Sequence, residues 1–273
     1  MSWLAVRVTA GDDRDAALAA LFELGSQGVQ EAGDDLLTHL DGEADPDVVV
    51  ATILGAAPRA EVSTAIVPET DWAEEWKKGI GSHTLGALDI VPPWLADGRD
   101  PARTIVIEPE MAFGTGEHPT TRGVVRLMPR AIRGGDRVAD LGSGSAVLSI
   151  AAAKLGAARV VAIELDHDSI ANARANVERN GVARVVTVLE GDAAVLLPLV
   201  APVRVVLANI LSSVLLELLP VIDAALTADG EAILSGILVE EREAMGEALE
   251  RAGWSVVADD VEGAWWTALA ARR

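Results

Sequence analysis

The sequence contains no cysteine, no tyrosine and only two phenylalanines. Without cysteine, disulfides, thiolate nucleophiles, iron–sulfur clusters and cysteine zinc sites are excluded, and without tyrosine there is no phenolic acid–base chemistry. Four histidines remain as possible imidazole ligands, and no two have the spacing of a helical metal site. We therefore expect a protein that works without a metal.

Basic residues are also scarce. There are 22 Lys and Arg against 42 Asp and Glu, a net charge of −20, and no stretch forms a basic patch. We therefore expect no nucleic-acid site. Residues 1–70 hold thirteen acidic residues and three arginines, a net charge of −10. This excess favours a surface that attracts a basic protein partner, and the equally weighted alternative is charge that only maintains solubility.

Long hydrophobic runs are missing as well. The most apolar stretch, residues 205–222, is interrupted by polar residues and by Pro220, which makes a membrane span costly. Near the start, Arg7 lies where a signal peptide would need an apolar run. These features favour a cytoplasmic enzyme without a membrane partner, and a monomer is expected. At 273 residues, the chain can form one large domain or two unequal ones.

The hydrophobic pattern predicts a first domain over residues 1–68. Strands are expected at 3–8, 36–40 and 61–67, with helices at 12–24 and 46–54, which is a small α+β unit of ferredoxin-like type. Residues 69–103 are interpreted as a linker with a short helix at 71–78. From residue 104 onwards the pattern changes.

The second domain, 104–273, alternates short apolar strands with helices. Such alternation predicts a Rossmann-like α/β domain with a parallel sheet. The expected strands are at 138–141, 160–163, 185–189, 203–208 and 232–234, with helices near 145–155, 167–179, 213–226 and 239–252. The last two segments, 254–258 and 264–270, have no helix between them and are expected to form an antiparallel hairpin.

A glycine pair follows the first of these strands. Gly142 and Gly144 would let a ligand approach the backbone at the carboxyl edge of the sheet. Val147 stands where a dinucleotide fingerprint needs its third glycine, which makes an NAD-dependent oxidoreductase the least favoured reading. Asp140 just before the turn suits a cationic ligand, and the sulfonium and ammonium of S-adenosylmethionine (AdoMet) meet that demand.

Three further strand ends carry candidate ligands. Glu164, 22 residues beyond Gly142, is placed to accept hydrogen bonds from both ribose hydroxyls, with a solvated loop acid as the alternative. Asp166 is interpreted as a helix N-terminal acid. Asp192 could accept from the adenine amino group. Asn209 could accept a hydrogen from an incoming amine while leaving its lone pair free, or it could be an ordinary cap.

A glycine-rich loop precedes a helix that has proline in its first turn. No lysine follows its glycines, so it is not a phosphate loop. We expect residues 113–118 to be a mobile cover over the methionine part of AdoMet, with Thr115 as a cofactor contact. A fixed tight turn is the alternative. Phe113 and His118 are candidate pocket walls, although an isolated histidine is more often structural.

These residues together resemble one family, the ribosomal protein L-eleven methyltransferases, which are class I AdoMet-dependent enzymes. The resemblance rests on EPEMAFGTGEHPTT (108–121), ADLGSGSAVLSIAA (139–152), VVAIELDHDSIANARANVERNG (160–181), ANIL (208–211) and LSGIL (234–238). It implies a class I methyltransferase sheet, AdoMet as cofactor, and cofactor contacts at Thr121, Gly142, Glu164 and Asn209. Ala146 replaces a usual glycine, and Glu164 replaces a usual aspartate.

The resemblance also implies the activity and the partner. It implies transfer of methyl groups to lysine side chains, or to the N-terminus, of a large-subunit ribosomal protein that the N-terminal domain recognises. Two alternatives remain open: an enzyme that methylates another protein or a small amine, and an AdoMet-binding protein with a decayed site. Thr121, Gly142 and Asn209 argue against the second. Asn209 is expected to orient the amine, and no dedicated base is required.

Overall fold

A computed structural model describes residues 3–67, 80–109 and 113–272. The chain divides into two compact units, with the boundary between Gly79 and Ile80. The helix expected at 71–78 lies outside the described residues. Each unit has its own buried apolar core.

The first unit has the predicted ferredoxin-like arrangement. Its four strands lie in the order β2-β3-β1-β4, all antiparallel. Alternate residues of the first strand, Leu4, Val6 and Val8, are buried, so one sheet face packs on the helices. The elements are β1 Trp3–Thr9, α1 Arg14–Glu23, β2 Gln30–Ala32, β3 Asp35–Asp41, α2 Pro46–Ala56 and β4 Glu61–Val67.

The second unit begins with a small three-stranded sheet, ordered β5-β6-β7. Its strands are β5 His83–Leu85, β6 Leu88–Val91 and β7 Thr104–Val106. Leu85, Leu88 and Ile90 are buried in the same core as the main sheet. The assignment of residues 80–103 to a linker was therefore wrong, because short strands separated by turns give little periodicity even when their apolar residues are buried.

The main sheet has seven strands in the order β10-β9-β8-β11-β12-β14-β13. Neighbouring strands are parallel except for β14, which runs antiparallel to both of its neighbours. This is the Rossmann-like sheet with a terminal hairpin that the sequence predicted. The strands are β8 Arg137–Leu141, β9 Arg159–Glu164, β10 Val186–Glu190, β11 Val203–Asn209, β12 Leu226–Leu238, β13 Trp254–Glu262 and β14 Trp265–Arg272.

Helices cover both faces of this sheet. The first three pack on one face and the last three on the other, each group with a separate apolar core. The helices are α3 Pro119–Ala131, α4 Val147–Lys154, α5 His167–Arg179, α6 Ala193–Val200, α7 Ser212–Ala225 and α8 Arg242–Arg251. The sequence missed α6 because its residues, AAVLLPLV, are all apolar and show no amphipathic period.

Candidate active site

A cleft of about 710 Å³ opens at the carboxyl ends of the parallel strands. Three residues predicted from the sequence, Gly142, Glu164 and Asp192, line this one cleft although they follow three different strands. Such convergence is expected where adjacent parallel strands end. The apolar part of the lining includes Ile163, Leu165, Ala193, Ala194, Ile210, Leu211, Val214 and Leu218.

The glycine turn needs its glycines because other groups approach closely. Gly142 has φ +68°, and a Cβ there would lie 2.4 Å from Cγ2 of Ile210. Gly144 has φ +50°, and its Cβ would lie 2.4 Å from the carbonyl oxygen of Phe113. Side chains at these positions would therefore displace both the cleft wall and the loop at 113–118. Ala146 is also left-handed, with φ +65°, and takes this conformation despite its Cβ.

The loop at 113–118 is attached to the glycine turn by Ser145. The Ser145 backbone N–H donates to the Phe113 carbonyl at 2.9 Å, and its hydroxyl donates to the Gly114 carbonyl at 2.7 Å. Gly114 and Gly116 both have positive φ. These contacts are compatible with the fixed-turn alternative, and the mobile cover stays a prediction. The Thr115 hydroxyl accepts from the Glu117 backbone N–H at 3.5 Å, a contact within the loop itself.

Asp140 is fully buried beneath the turn. Its Oδ2 accepts from the Ser149 hydroxyl at 2.6 Å, and its Oδ1 has no partner among the residues that the structure describes. Burial, with a smaller contribution from the charge of Glu164, raises the pKa of Asp140 to about 7. A nearby cation would favour ionisation of this carboxyl.

Glu164 ends β9 and faces the glycine turn. Its Oε2 accepts from the Gly144 backbone N–H at 2.7 Å, and its Oε1 accepts from the Asp166 backbone N–H at 2.9 Å. Each carboxylate oxygen can accept a second hydrogen bond, so the group can still receive hydroxyls from a ligand. Asp166 caps α5 through the Asp168 N–H, as predicted.

Asp192 has two roles in the cleft. Its Oδ1 accepts from the Ala194 backbone N–H at 2.8 Å, which caps α6. Asp192 also lines the cleft, together with Gly142 and Glu164. A cap leaves the second carboxylate oxygen available to a ligand.

Asn209 ends β11, next to the cleft residue Ile210. Its Nδ2 lies 3.4 Å from the Thr121 hydroxyl oxygen, to which it donates. Thr121 is fully buried in the first turn of α3, and its hydroxyl accepts this bond from Asn209. Its contact with the cofactor stays a prediction. This arrangement leaves Oδ1 of Asn209 as the acceptor for an incoming amine.

His118 lies between two other aromatic rings. Its ring centroid is 5.3 Å from that of Phe113 and 4.9 Å from that of Trp265 in the hairpin. Its Nδ1 caps α3 through Thr120. Burial, together with the charge of Arg122, lowers the pKa of His118 below its ordinary value. The lowered pKa favours the neutral form of the ring at pH 7. The neighbouring Phe113 side chain is 55% exposed to solvent.

Sequence reasoning missed three residues of this region. Ser145 joins the loop to the turn, Ile210 closes against Gly142, and Trp265 packs on His118. Ser145 lies inside the glycine motif at 139–152, so its hydroxyl could have been identified from the sequence as a possible hydrogen-bonding group. Trp265 carries no local signal, because its contact depends on how the hairpin pairs with β12.

Comparison with known proteins now identifies the family. The family model described as "Ribosomal protein L11 methyltransferase" matches residues 12–273. The chain belongs to this family. A relative with that name from Pelotomaculum thermopropionicum is 42% identical over 82% of this chain and 72% of its own length. One from Streptococcus uberis is 32% identical over 97% of this chain and 94% of its own length.

A solved structure agrees with this assignment. The ribosomal protein L11 methylase from Lactobacillus delbrueckii subsp. bulgaricus is 31% identical to the chain with a TM-score of 0.62, and the match covers 70% of this chain and 98% of that one. As a member of the ribosomal protein L11 methyltransferase family, the chain is an AdoMet-dependent methyltransferase. Among the described residues, no helix is long and apolar enough to cross a membrane.

Proposed function

We propose that this chain transfers methyl groups from AdoMet to amino groups of ribosomal protein L11. Lysine ε-amino groups are the principal acceptors, and the N-terminal amino group is a second class of acceptor. The observation that carries the proposal is the cleft in which Gly142, Glu164 and Asp192 converge, with Asn209 directly before the lining residue Ile210. The names of the family and of its relatives support L11 as the substrate.

The residues around the cleft fit AdoMet. Asp140 offers a buried carboxyl whose Oδ1 is unpaired among the described residues, and a cationic ligand would stabilise its ionised form. Glu164 would hold the ribose hydroxyls, and Asp192 the adenine amino group. Apolar side chains supply the remaining wall, as is usual for such sites. When bound, AdoMet supplies a methyl group on a sulfonium, which is already an activated leaving group.

The protein's own contribution to the reaction is positioning. Asn209 Oδ1 accepts a hydrogen bond from the acceptor amine, while Thr121 fixes the amide through Nδ2. A lysine with an ordinary pKa of about 10.4 must first lose its proton, and apolar surroundings favour the neutral amine. We assign no residue as a dedicated base.

The first unit is proposed to dock the ribosomal protein. Of its twelve described carboxylates, ten are exposed, so its surface is available to a basic partner. Its three arginines each pair with carboxylates of the same unit, Arg7 with Asp35, Arg14 with Glu31 and Arg59 with Asp13. Within residues 3–67, the arginine charges are therefore each paired with a neighbouring carboxylate.

Transfer of labelled methyl groups to purified L11 tests the proposed function. We expect label in wild-type L11, and loss of most label when every lysine of L11 is replaced by arginine. Asn209→Ala should lower kcat by about 100-fold, because a misplaced acceptor loses that much in comparable reactions. Equal transfer to free lysine or to unrelated basic proteins would contradict L11 as the substrate and favour the alternative acceptors.

A further inference from the structure

Arg122 joins the loop at 113–118 to the terminal hairpin. Its Nε donates to Oε1 of Glu262 at 3.0 Å, and its Nη2 donates to the same oxygen. Its Nη1 donates to the Glu117 carbonyl and lies 3.5 Å from the Gly116 carbonyl. One guanidinium therefore contacts two segments that are far apart in the sequence.

The ion pair is partly buried and strongly bonded. The Arg122 side chain is 16% exposed and that of Glu262 is 33% exposed. The hydrogen bond from Arg122 holds the pKa of Glu262 below its ordinary value. Charge-assisted bonds from a planar guanidinium fix direction as well as distance. The position of Glu262 therefore determines where the carbonyls of the loop can lie.

The same hairpin packs closely against the start of α3. A Cβ on Gly123 would lie 2.4 Å from the Thr267 hydroxyl oxygen, so the backbone of the helix lies directly against a side chain of the hairpin. The Ser235 hydroxyl is 2.6 Å from that of Thr267, and it also donates to the Thr120 carbonyl at 3.3 Å. Helix α3 can therefore shift little relative to the sheet.

The residues fixed in this way belong to the active site. His118 caps α3 and contacts Trp265 of the hairpin, and Thr121, one turn further on, orients Asn209. Arg122 itself does not line the cleft. Its side chain reaches the reaction only through the loop carbonyls and the start of the helix.

We propose that Arg122, held by Glu262 of the terminal hairpin, is a positioning residue for methyl transfer, because it sets the place of the Gly116–Glu117 backbone and hence of His118. The inference rests on the proposed function. It adds the hairpin, which contributes no cleft-lining residue, to the parts of the fold that determine the rate.

A matched control is available on the same helix. Arg126, one turn beyond Arg122, binds Asp260 through Nε at 2.9 Å and Glu262 through Nη2 at 2.7 Å. Within the part of the chain that the structure describes, Arg126 makes no hydrogen bond to the loop carbonyls. Arg122→Met and Arg126→Met therefore each remove one guanidinium bound to the hairpin carboxylates, but only Arg122→Met removes the hydrogen bonds to the loop carbonyls.

The experiment compares wild type, Arg122→Met, Arg126→Met and Arg122→Lys in the full-length enzyme. Steady-state methylation of L11 gives kcat and KM, and calorimetry gives AdoMet affinity. NMR titration of the His118 imidazole, assigned with His118→Gln, reports the site directly and does not depend on turnover. This last measurement separates the positioning role from the proposed substrate, since it remains valid if L11 is not the acceptor.

We expect Arg122→Met to lower kcat by at least tenfold and to raise the pKa of His118, because it removes a neighbouring positive charge and exposes the ring. Arg126→Met should change kcat less than threefold and leave that pKa unaltered. Arg122→Lys should recover part of kcat. Equal losses in the two methionine variants, or wild-type kcat in Arg122→Met, would overturn the proposal.

Arg122→Lys decides the matter if Arg122→Met does not fold. A lysine ammonium can bind Glu262 or the loop carbonyls, but its single nitrogen cannot reproduce the two-sided fork of arginine. We therefore expect an intermediate kcat with unchanged AdoMet affinity. A lysine variant with the wild-type kcat would contradict the positioning role.

Discussion

At the scale of single residues, the site depends on carboxylates with different surroundings. Glu164 is partly exposed and bonded to two backbone N–H groups, whereas Asp140 is fully buried with one oxygen unpaired among the described residues. The first is arranged to accept hydrogen bonds from a ligand. The second is arranged to respond to a charge. The two carboxylates therefore call for different tests.

Replacing Glu164 should weaken AdoMet binding. Glu164→Ala removes a charged acceptor for the ribose hydroxyls, which is worth about 1.5 to 3 kcal/mol, or roughly a 10- to 150-fold rise in Kd. Glu164→Asp should retain most of the affinity, since the carboxylate remains. Calorimetric titration measures both variants. Asp166→Asn, which alters only the cap of α5, is the control, and equal affinities in Glu164→Ala and this control would refute the assignment.

Asp140 should make stability depend on pH. Burial raises the pKa of Asp140 in the folded chain to about 7, well above the pKa of an ordinary aspartate. The unfolded chain therefore releases this proton more readily than the folded chain. The contribution of Asp140 to stability is therefore largest below pH 4, declines between about pH 4 and pH 7, and is constant above that. Asp140→Asn should remove this decline, which is on the order of 4 kcal/mol because each pKa unit corresponds to about 1.4 kcal/mol.

Urea unfolding at pH 5 and pH 8 measures the effect. The quantity of interest is the difference between wild type and Asp140→Asn at each pH, because other groups titrate equally in both. We expect wild type to lose more stability than the variant on going from pH 5 to pH 8. Parallel curves would show that Asp140 does not titrate in this range.

At the scale of elements, the interlocking of the glycine turn with the loop at 113–118 is the main feature. Ser145 donates two hydrogen bonds to that loop, while the hydroxyl of the equally buried Ser143 has no partner among the described residues. The two serines therefore allow the loop contact to be separated from the effect of losing a buried hydroxyl.

Ser145→Ala should lower the free energy of unfolding by about 1 kcal/mol, because the Gly114 carbonyl loses its buried partner. Hydrogen exchange in the loop should also become faster in this variant. Ser143→Ala should be neutral or slightly stabilising, since it removes an unpaired hydroxyl. In wild type, strong protection of the Ser145 amide both with and without AdoMet is expected for a fixed turn. Protection of the Ser145 amide that develops only with AdoMet would instead support the mobile-cover hypothesis.

At the scale of the whole molecule, the proposed function assigns cofactor binding and substrate docking to different units. The cleft and all the residues that line it belong to the second unit, whose core is separate from that of the first. In the proposed function, the acidic first unit recognises the substrate by charge attraction. Charge attraction of this kind is screened by salt, whereas contacts within a partly enclosed cleft are screened less.

Residues 80–273, produced alone, should bind AdoMet with a Kd within about threefold of that of the full chain. Their kcat/KM for L11 should fall by at least about 100-fold, as expected if docking contributes more than about 2.7 kcal/mol. Calorimetry and methylation assays measure the two effects. Raising the ionic strength should increase KM for L11 in the full chain much more than Kd for AdoMet. Undiminished L11 methylation by the shortened chain would rule out docking by the first unit.

The sequence by itself determined the local features of this protein. Strand ends, the glycine turn, the cap at Asp166 and the placement of Glu164 and Asn209 followed from short motifs and from periodicity, because side-chain alternation and turn chemistry act over a few residues. Convergence of these positions at one edge also followed, since parallel strands end together.

Only the tertiary structure decided which distant groups meet. The pairing of Arg122 with Glu262, the edge-to-face contact of Trp265 with His118 and the hydrogen bond between Asn209 and Thr121 depend on which strands become neighbours. The place of residues 80–103 in the second unit depends on core packing in the same way. Hydrophobic periodicity shows which face of a helix or strand is apolar. Which element packs against that face depends on the packing of the whole chain.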